Sequence, residues 1–255
     1  MTDTFEYKKR LSEKQFANDS QQTGSETTPK VISESILTFA KALGGDRAKL
    51  VPVKPDPYGL YGWCSDGVNE KVKNDGGYIR FGWTIWEWPN VLLTAEFHSV
   101  WSDPNGELID ITPKPQGESS IVFVPDDSYP PGFNFDHRPT NRRCRLYEEP
   151  NYSALAQNVI AKMKPVQIQY EINRAAKKGQ TLLEWIAQKQ PRDVLPQLID
   201  RFIDVCTKCD RKLDVLNPGG GAFSPDREFM DLSREKIRLL HLMQSQSIRT
   251  PKREA

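Results

Sequence analysis

The sequence predicts an α+β fold, with one helix packed on an antiparallel sheet and a helical region after it. Three observations predict this. Between 78 and 124 the chain passes through four segments rich in β-branched and aromatic residues, separated by turn sequences. A short helical pattern starting at Cys64 precedes them, and from 151 onward apolar residues recur at helical spacing. At 255 residues the chain exceeds one typical domain and falls short of two large ones, which suits a principal core with an appendage.

The first 29 residues are nearly all polar and read as a disordered leader, as does the tail from 247 to 255. Apolar spacing over 31–43 predicts a helix, stopped by Gly44-Gly45. Alternating prolines at 52, 55 and 57 predict an extended connector. Val68 and Val72 suit a helix over 64–74, with Ser65 and Asp66 near its start and Gly76-Gly77 at its end. Strands are expected at 78–85, 91–101, 107–112 and 121–124, joined as a meander through turns such as Trp88-Pro89-Asn90 and Asp103-Pro104-Asn105-Gly106. The core therefore spans 30–127. Prolines and weak periodicity make 128–150 a linker, and 151–246 is a helical region with helices at 153–164, 166–178, 181–189, 193–216 and 226–245. Pro165, Gly179 and the 217–221 run break them.

Lysine and arginine total 35 against 34 acidic residues, a balance that argues against nucleic acid or an anionic membrane as partner. No stretch approaches the ~20 apolar residues of a membrane helix, and the first residues lack the pattern of a signal peptide, so the expected location is the cytoplasm. Four cysteines in such a chain make free thiols rather than a disulfide framework. No cofactor is implied, and the oligomeric state is not legible.

Chemistry concentrates on Cys64. A thiol becomes a useful nucleophile as thiolate, which the exposed amides and dipole of a helix N-terminus favour. It needs a histidine to share the proton and a third group to orient the imidazole. Along 91–101, His98 lies on the face opposite Val91, Leu93, Ala95 and Phe97, and Asp110 turns away from Ile109 and Ile111. A five-residue loop over 102–106 places Trp101 opposite Glu107 and His98 directly opposite Asp110, with Cβ atoms about 4.5–5.5 Å apart.

Cys64 opening a helix, His98 in Ala95-Glu96-Phe97-His98-Ser99-Val100-Trp101, and Asp110 in Gly106-Glu107-Leu108-Ile109-Asp110-Ile111-Thr112-Pro113 together resemble the transglutaminase-like core of the papain-like superfamily. The resemblance covers about residues 58–113. It implies a papain-like core with Cys64 as nucleophile, His98 as general base and acid, and Asp110 as orienting carboxylate. It also implies an acyl-enzyme resolved by water or an amine, with the Cys64 amide and Tyr61 or Trp63 serving the oxyanion. Ser65-Asp66-Gly67 follow Cys64, where active transglutaminases carry Cys-Trp. The implied activity is a cysteine hydrolase or acyltransferase on an amide or thioester of a protein or peptide, of protease, deamidase or transglutaminase type.

Other features admit other readings. Trp86 and Trp88, at the expected hairpin end, form an aromatic rim for substrate or partner. With the helical region they support a second function, a non-catalytic protein-interaction module in which Cys64 merely packs. Cys206 and Cys209 form a Cys-x-x-Cys pair, which with Cys144 and His137 supports a third, a zinc-binding module. Arg138, Arg142, Arg143 and Arg145, with Phe133, Phe135 and His137 upstream, read as a solvated basic loop in preference to a phosphate or RNA site. The apolar stripes of 193–216 and 226–245 allow packing on one another or dimerisation.

Overall fold

The computed structural model describes residues 4–21, 25–44, 47–217 and 223–247. A mixed helix and sheet architecture is present, as expected, and the sheet is antiparallel. Its strands are β1 (Lys49–Pro52), β2 (Tyr78–Trp88), β3 (Leu92–Ser102), β4 (Leu108–Ile109), β5 (Ser120–Pro125) and β6 (Arg142–Arg145), in the order β1-β5-β2-β3-β4, with β6 also on β3.

The expected meander is corrected. β5 crosses back to lie between β1 and β2 instead of following β4. Ile121, Val122, Phe123 and Val124 are all fully buried, with Ile121 and Phe123 in one apolar cluster and Val122 and Val124 in another. A strand apolar on both faces belongs in the interior of a sheet, not at its edge.

Helices α2 (Glu34–Ala42) and α3 (Cys64–Asp75) join the largest cluster. Ser33 caps α2 by accepting from the Ile36 amide, and Ile36, Phe39 and Ala40 pack with Val68 of α3 against Phe81, Trp83, Ala95 and Phe97 of the sheet.

Two further expectations fail. The polar leader contains α1 (Phe5–Asp19), and beyond it the Thr27 backbone bridges Glu87 at the end of β2. Phe5, Ser12 and Phe16 share one face of α1 and find partners in the core: Phe5 beside Tyr58, Phe16 edge-on to Tyr61, and Ser12 buried. Three such contacts are too sparse to show in composition. The 128–150 linker is instead packed structure. Phe135 stacks on Phe97, Phe133 meets Phe81 edge-on, Tyr129 lies tilted against Phe97, and β6 extends the sheet.

The helical region comprises α4 (Tyr152–Ala161), α5 (Pro165–Ala176), α6 (Leu182–Gln188), α7 (Leu195–Leu216) and α8 (Arg227–Ser247). Ile199, Phe202, Val205 and Cys206 of α7 bury against Leu239 and Met243 of α8 and against Val91 and Leu92 at the β2–β3 turn. The two long helices therefore pack on one another and on the sheet. The basic cluster is neither solvated loop nor phosphate site, because Arg138, Arg143 and Arg145 pair with Asp214, Asp210 and Asp200 of α7, and Arg142 donates to the Ala42 carbonyl. Among the described residues no helix is long and apolar enough to cross a membrane. The stops expected at Gly45 and 218–221, and the tail from 248, lie outside the described residues.

Candidate active site

Cys64 is the first residue of α3, and Trp63 is the N-cap, with its carbonyl accepting from the Gly67 amide at 3.1 Å. The amides of the first turn have no partners within the helix, and with the helix dipole they favour an anionic sulfur. Gly67 makes this placement available. A Cβ there would lie 2.4 Å from the Tyr58 carbonyl oxygen, so the first turn of α3 can press on the 58–60 segment only with glycine at this position.

His98 stands in the middle of β3, paired across the ladder with Gly82 of β2. Its Nε2 lies 3.2 Å from Asp110 Oδ2, so Nδ1 is the ring nitrogen not engaged by the carboxylate. The expected loop is corrected by one position. It spans 103–107, so Ser102 pairs with Leu108 and Trp101 with Ile109. The Asp103 side chain nucleates it by accepting from the Asn105 and Glu107 amides, and Gly106 takes a φ of 89°. The strands therefore slide by two residues, which preserves the face of every side chain and sets Asp110 diagonal to His98. Asp110 is held from behind, since its amide donates to the Pro52 carbonyl and its own carbonyl accepts from the Lys54 amide. Its Oδ1 accepts from the Thr112 amide at 2.9 Å.

The three groups are 8%, 6% and 0% exposed, so water screens their charges weakly. Burial alone pushes the Cys64 thiol up, but its neighbours, the charge of His98 first among them, more than offset it and leave the thiol below its ordinary value. Burial likewise disfavours imidazolium at His98, and the negative charges of Asp110 and Cys64 overcome this to raise its proton affinity. The Asp110 carboxyl, which burial would raise, is held well below the usual carboxylate range by Lys114 and His98. The combined direction is a thiolate–imidazolium pair backed by a carboxylate.

The expected accessory residues behave differently. Tyr61 is not free to meet an oxyanion, because its amide donates to Ser12 Oγ at 2.6 Å and its hydroxyl to Asp19 at 3.0 Å. Trp63 is buried in packing. Trp88 packs against the α7 and α8 cluster, because β2 runs on through it and the expected rim is part of the sheet. Trp86 donates to Glu96, and its ring lies 6.0 Å from the Lys114 ammonium. Cys206 and Cys209 are buried on α7, and burial raises both thiols. Both belong to the apolar cluster between α7 and α8, and among the described residues no three His, Cys, Asp or Glu side chains form a group that could hold a metal.

Three contributors escape a reading of the sequence: Lys114, with its Nζ 2.6 Å from Asp110 Oδ2, Ser99 beside the thiol, and α1 over the segment that leads to Cys64. None of the three carries a local signal, because the spacing of four between Asp110 and Lys114 falls in a loop and not on a helix. Comparison with family models, curated proteins and solved structures found no match.

Proposed function

We propose that this chain is a cysteine-dependent hydrolase or acyltransferase on a transglutaminase-like, papain-like core, acting on an amide or thioester of a protein or peptide. One observation carries the reading: a cysteine at a helix N-terminus is held below its ordinary thiol value by the charge of His98, an imidazole whose Nε2 lies 3.2 Å from a buried carboxylate. The Cys64 sulfur attacks the carbonyl carbon, a C–S bond forms, and the carbonyl electron pair moves to oxygen. The Cys64 amide, at the first position of α3, is a donor available to that oxygen. As the C–N or C–S bond to the leaving group breaks, His98 gives it the proton held on imidazolium. Water or an amine then attacks the acyl-enzyme, His98 takes its proton, and the thiolate departs.

The test uses p-nitrophenyl acetate as acyl donor and intact-mass and peptide mapping as readout. An acetyl group should accumulate on Cys64, be lost in Cys64→Ala, and form far more slowly in His98→Ala. Equal acetylation of Cys64 and Cys144 would count against the reading. The near-complete burial of the triad favours a second reading, the non-catalytic interaction module, in which Cys64 stays unacylated and the exposed Val166 and Tyr170 of α5 meet a partner.

A further inference from the structure

Lys114 is a charged group that the proposed chemistry does not use. It follows Asp110 by four residues, past Thr112 and Pro113, and its side chain is only 4% exposed. A lysine is almost never so buried unless it is paired. Its partner is Asp110 Oδ2 at 2.6 Å, the same oxygen that His98 Nε2 reaches at 3.2 Å. The Trp86 ring lies 6.0 Å from the ammonium.

From this shared oxygen we infer that Lys114 is a positioning residue of the triad, balancing Asp110 so that His98 can both hold and release its proton. The inference rests on the thiolate–imidazolium reading of Cys64 and His98. The charged groups acting on His98 are Asp110 after β4, Cys64 on α3 and Lys114, and those acting on Asp110 are Lys114 and His98. Without Lys114 the row runs minus, plus, minus, and leaves one net negative charge out of water, which is costly. An imidazolium between two anions also holds its proton too firmly to give it to a leaving group. With Lys114 the row alternates and sums to zero, and the ammonium opposes the proton on His98 through the oxygen they share. The chelated Oδ2 also has little freedom to rotate away from Nε2.

The test follows the His98 imidazole nitrogens by NMR across pH in the full chain, with ultraviolet absorbance reporting the Cys64 thiolate. Neither readout needs a reagent to enter the site. Lys114→Met should raise the midpoint at which His98 loses its proton by about one pH unit or more, a tenfold change in proton affinity. Lys114→Arg, which keeps the charge, should hold the midpoint near that of the unaltered chain. An unmoved midpoint in folded Lys114→Met overturns the inference, and so does an Arg variant that moves as far as the Met variant. If Lys114→Met does not fold, Lys114→Gln, which keeps a donor but no charge, must show the same rise. Absence of a thiolate in the unaltered chain overturns the underlying ion pair. A thiolate present with an unmoved midpoint overturns only the role of Lys114.

Discussion

Asp110 reaches His98 diagonally across the β3–β4 ladder, oxygen to Nε2 at 3.2 Å, while its backbone pairs with Pro52 and Lys54 on the other side. The carboxylate is thus aimed by two neighbouring chain segments. Asp110→Asn preserves shape and removes the charge, leaving Lys114 and His98 facing each other without an anion between them. We expect a loss on the order of 3 kcal/mol in urea unfolding, the scale for breaking a buried pair. The thiolate absorbance should fall with it, and an Asn variant with full stability and full absorbance would show that Asp110 is incidental.

The pH dependence of stability should show a plateau. On the thiolate–imidazolium reading, folded Cys64 and His98 together hold one proton, on the imidazole, in line with a thiol lowered from 9.0 and an imidazole raised from 6.5. Unfolded, the two hold two protons below about pH 6.5, one between about 6.5 and 9, and none above. Stability follows the difference in bound protons, so this pair adds stability as pH rises toward 6.5, is flat to 9, and loses stability above. In Cys64→Ala only the raised His98 remains, and its contribution declines steadily above pH 6.5. Urea unfolding of both chains across this range checks the contrast; parallel curves would contradict the ion pair.

Ser12 supplies the acceptor for the Tyr61 amide, three residues before the nucleophile. Ser12→Ala strands that amide, at a cost of about 1–3 kcal/mol. It should also loosen α1 from the 58–66 segment, where Lys8 and Asp66 form the neighbouring ion pair. Iodoacetamide should then label Cys64 faster, with Cys206 and Cys209 unchanged as internal references. A uniform rise at all three cysteines would instead indicate general unfolding.

Gly67→Ala tests the fit of α3 on the loop. The added methyl meets the Tyr58 carbonyl oxygen at 2.4 Å, and backbone must move to relieve it. Overpacking of this kind costs about 1–3 kcal/mol. Because the displaced turn carries Cys64, the thiolate absorbance should diminish even in the folded fraction. Retention of both stability and absorbance would mean that α3 and the loop are not tightly coupled.

The sequence by itself determined the local matters: the five helices after 151, the helix opening at Cys64, and the faces on which His98 and Asp110 stand. These follow from period and capping, which neighbouring residues set among themselves. A two-residue slide of β4 left those faces unchanged, so the pairing of His98 with Asp110 was legible even though the register was not. Only the tertiary structure decided that β5 returns to the middle of the sheet, that Tyr129, Phe133 and Phe135 close the core, and that a polar N-terminal stretch becomes a helix over the nucleophile segment. It also decided that Lys114 is buried, since a lysine carries no sign of its partner in sequence. Each of these depends on groups far apart in the chain, whose desolvation and pairing exist only once the sheet has brought them together.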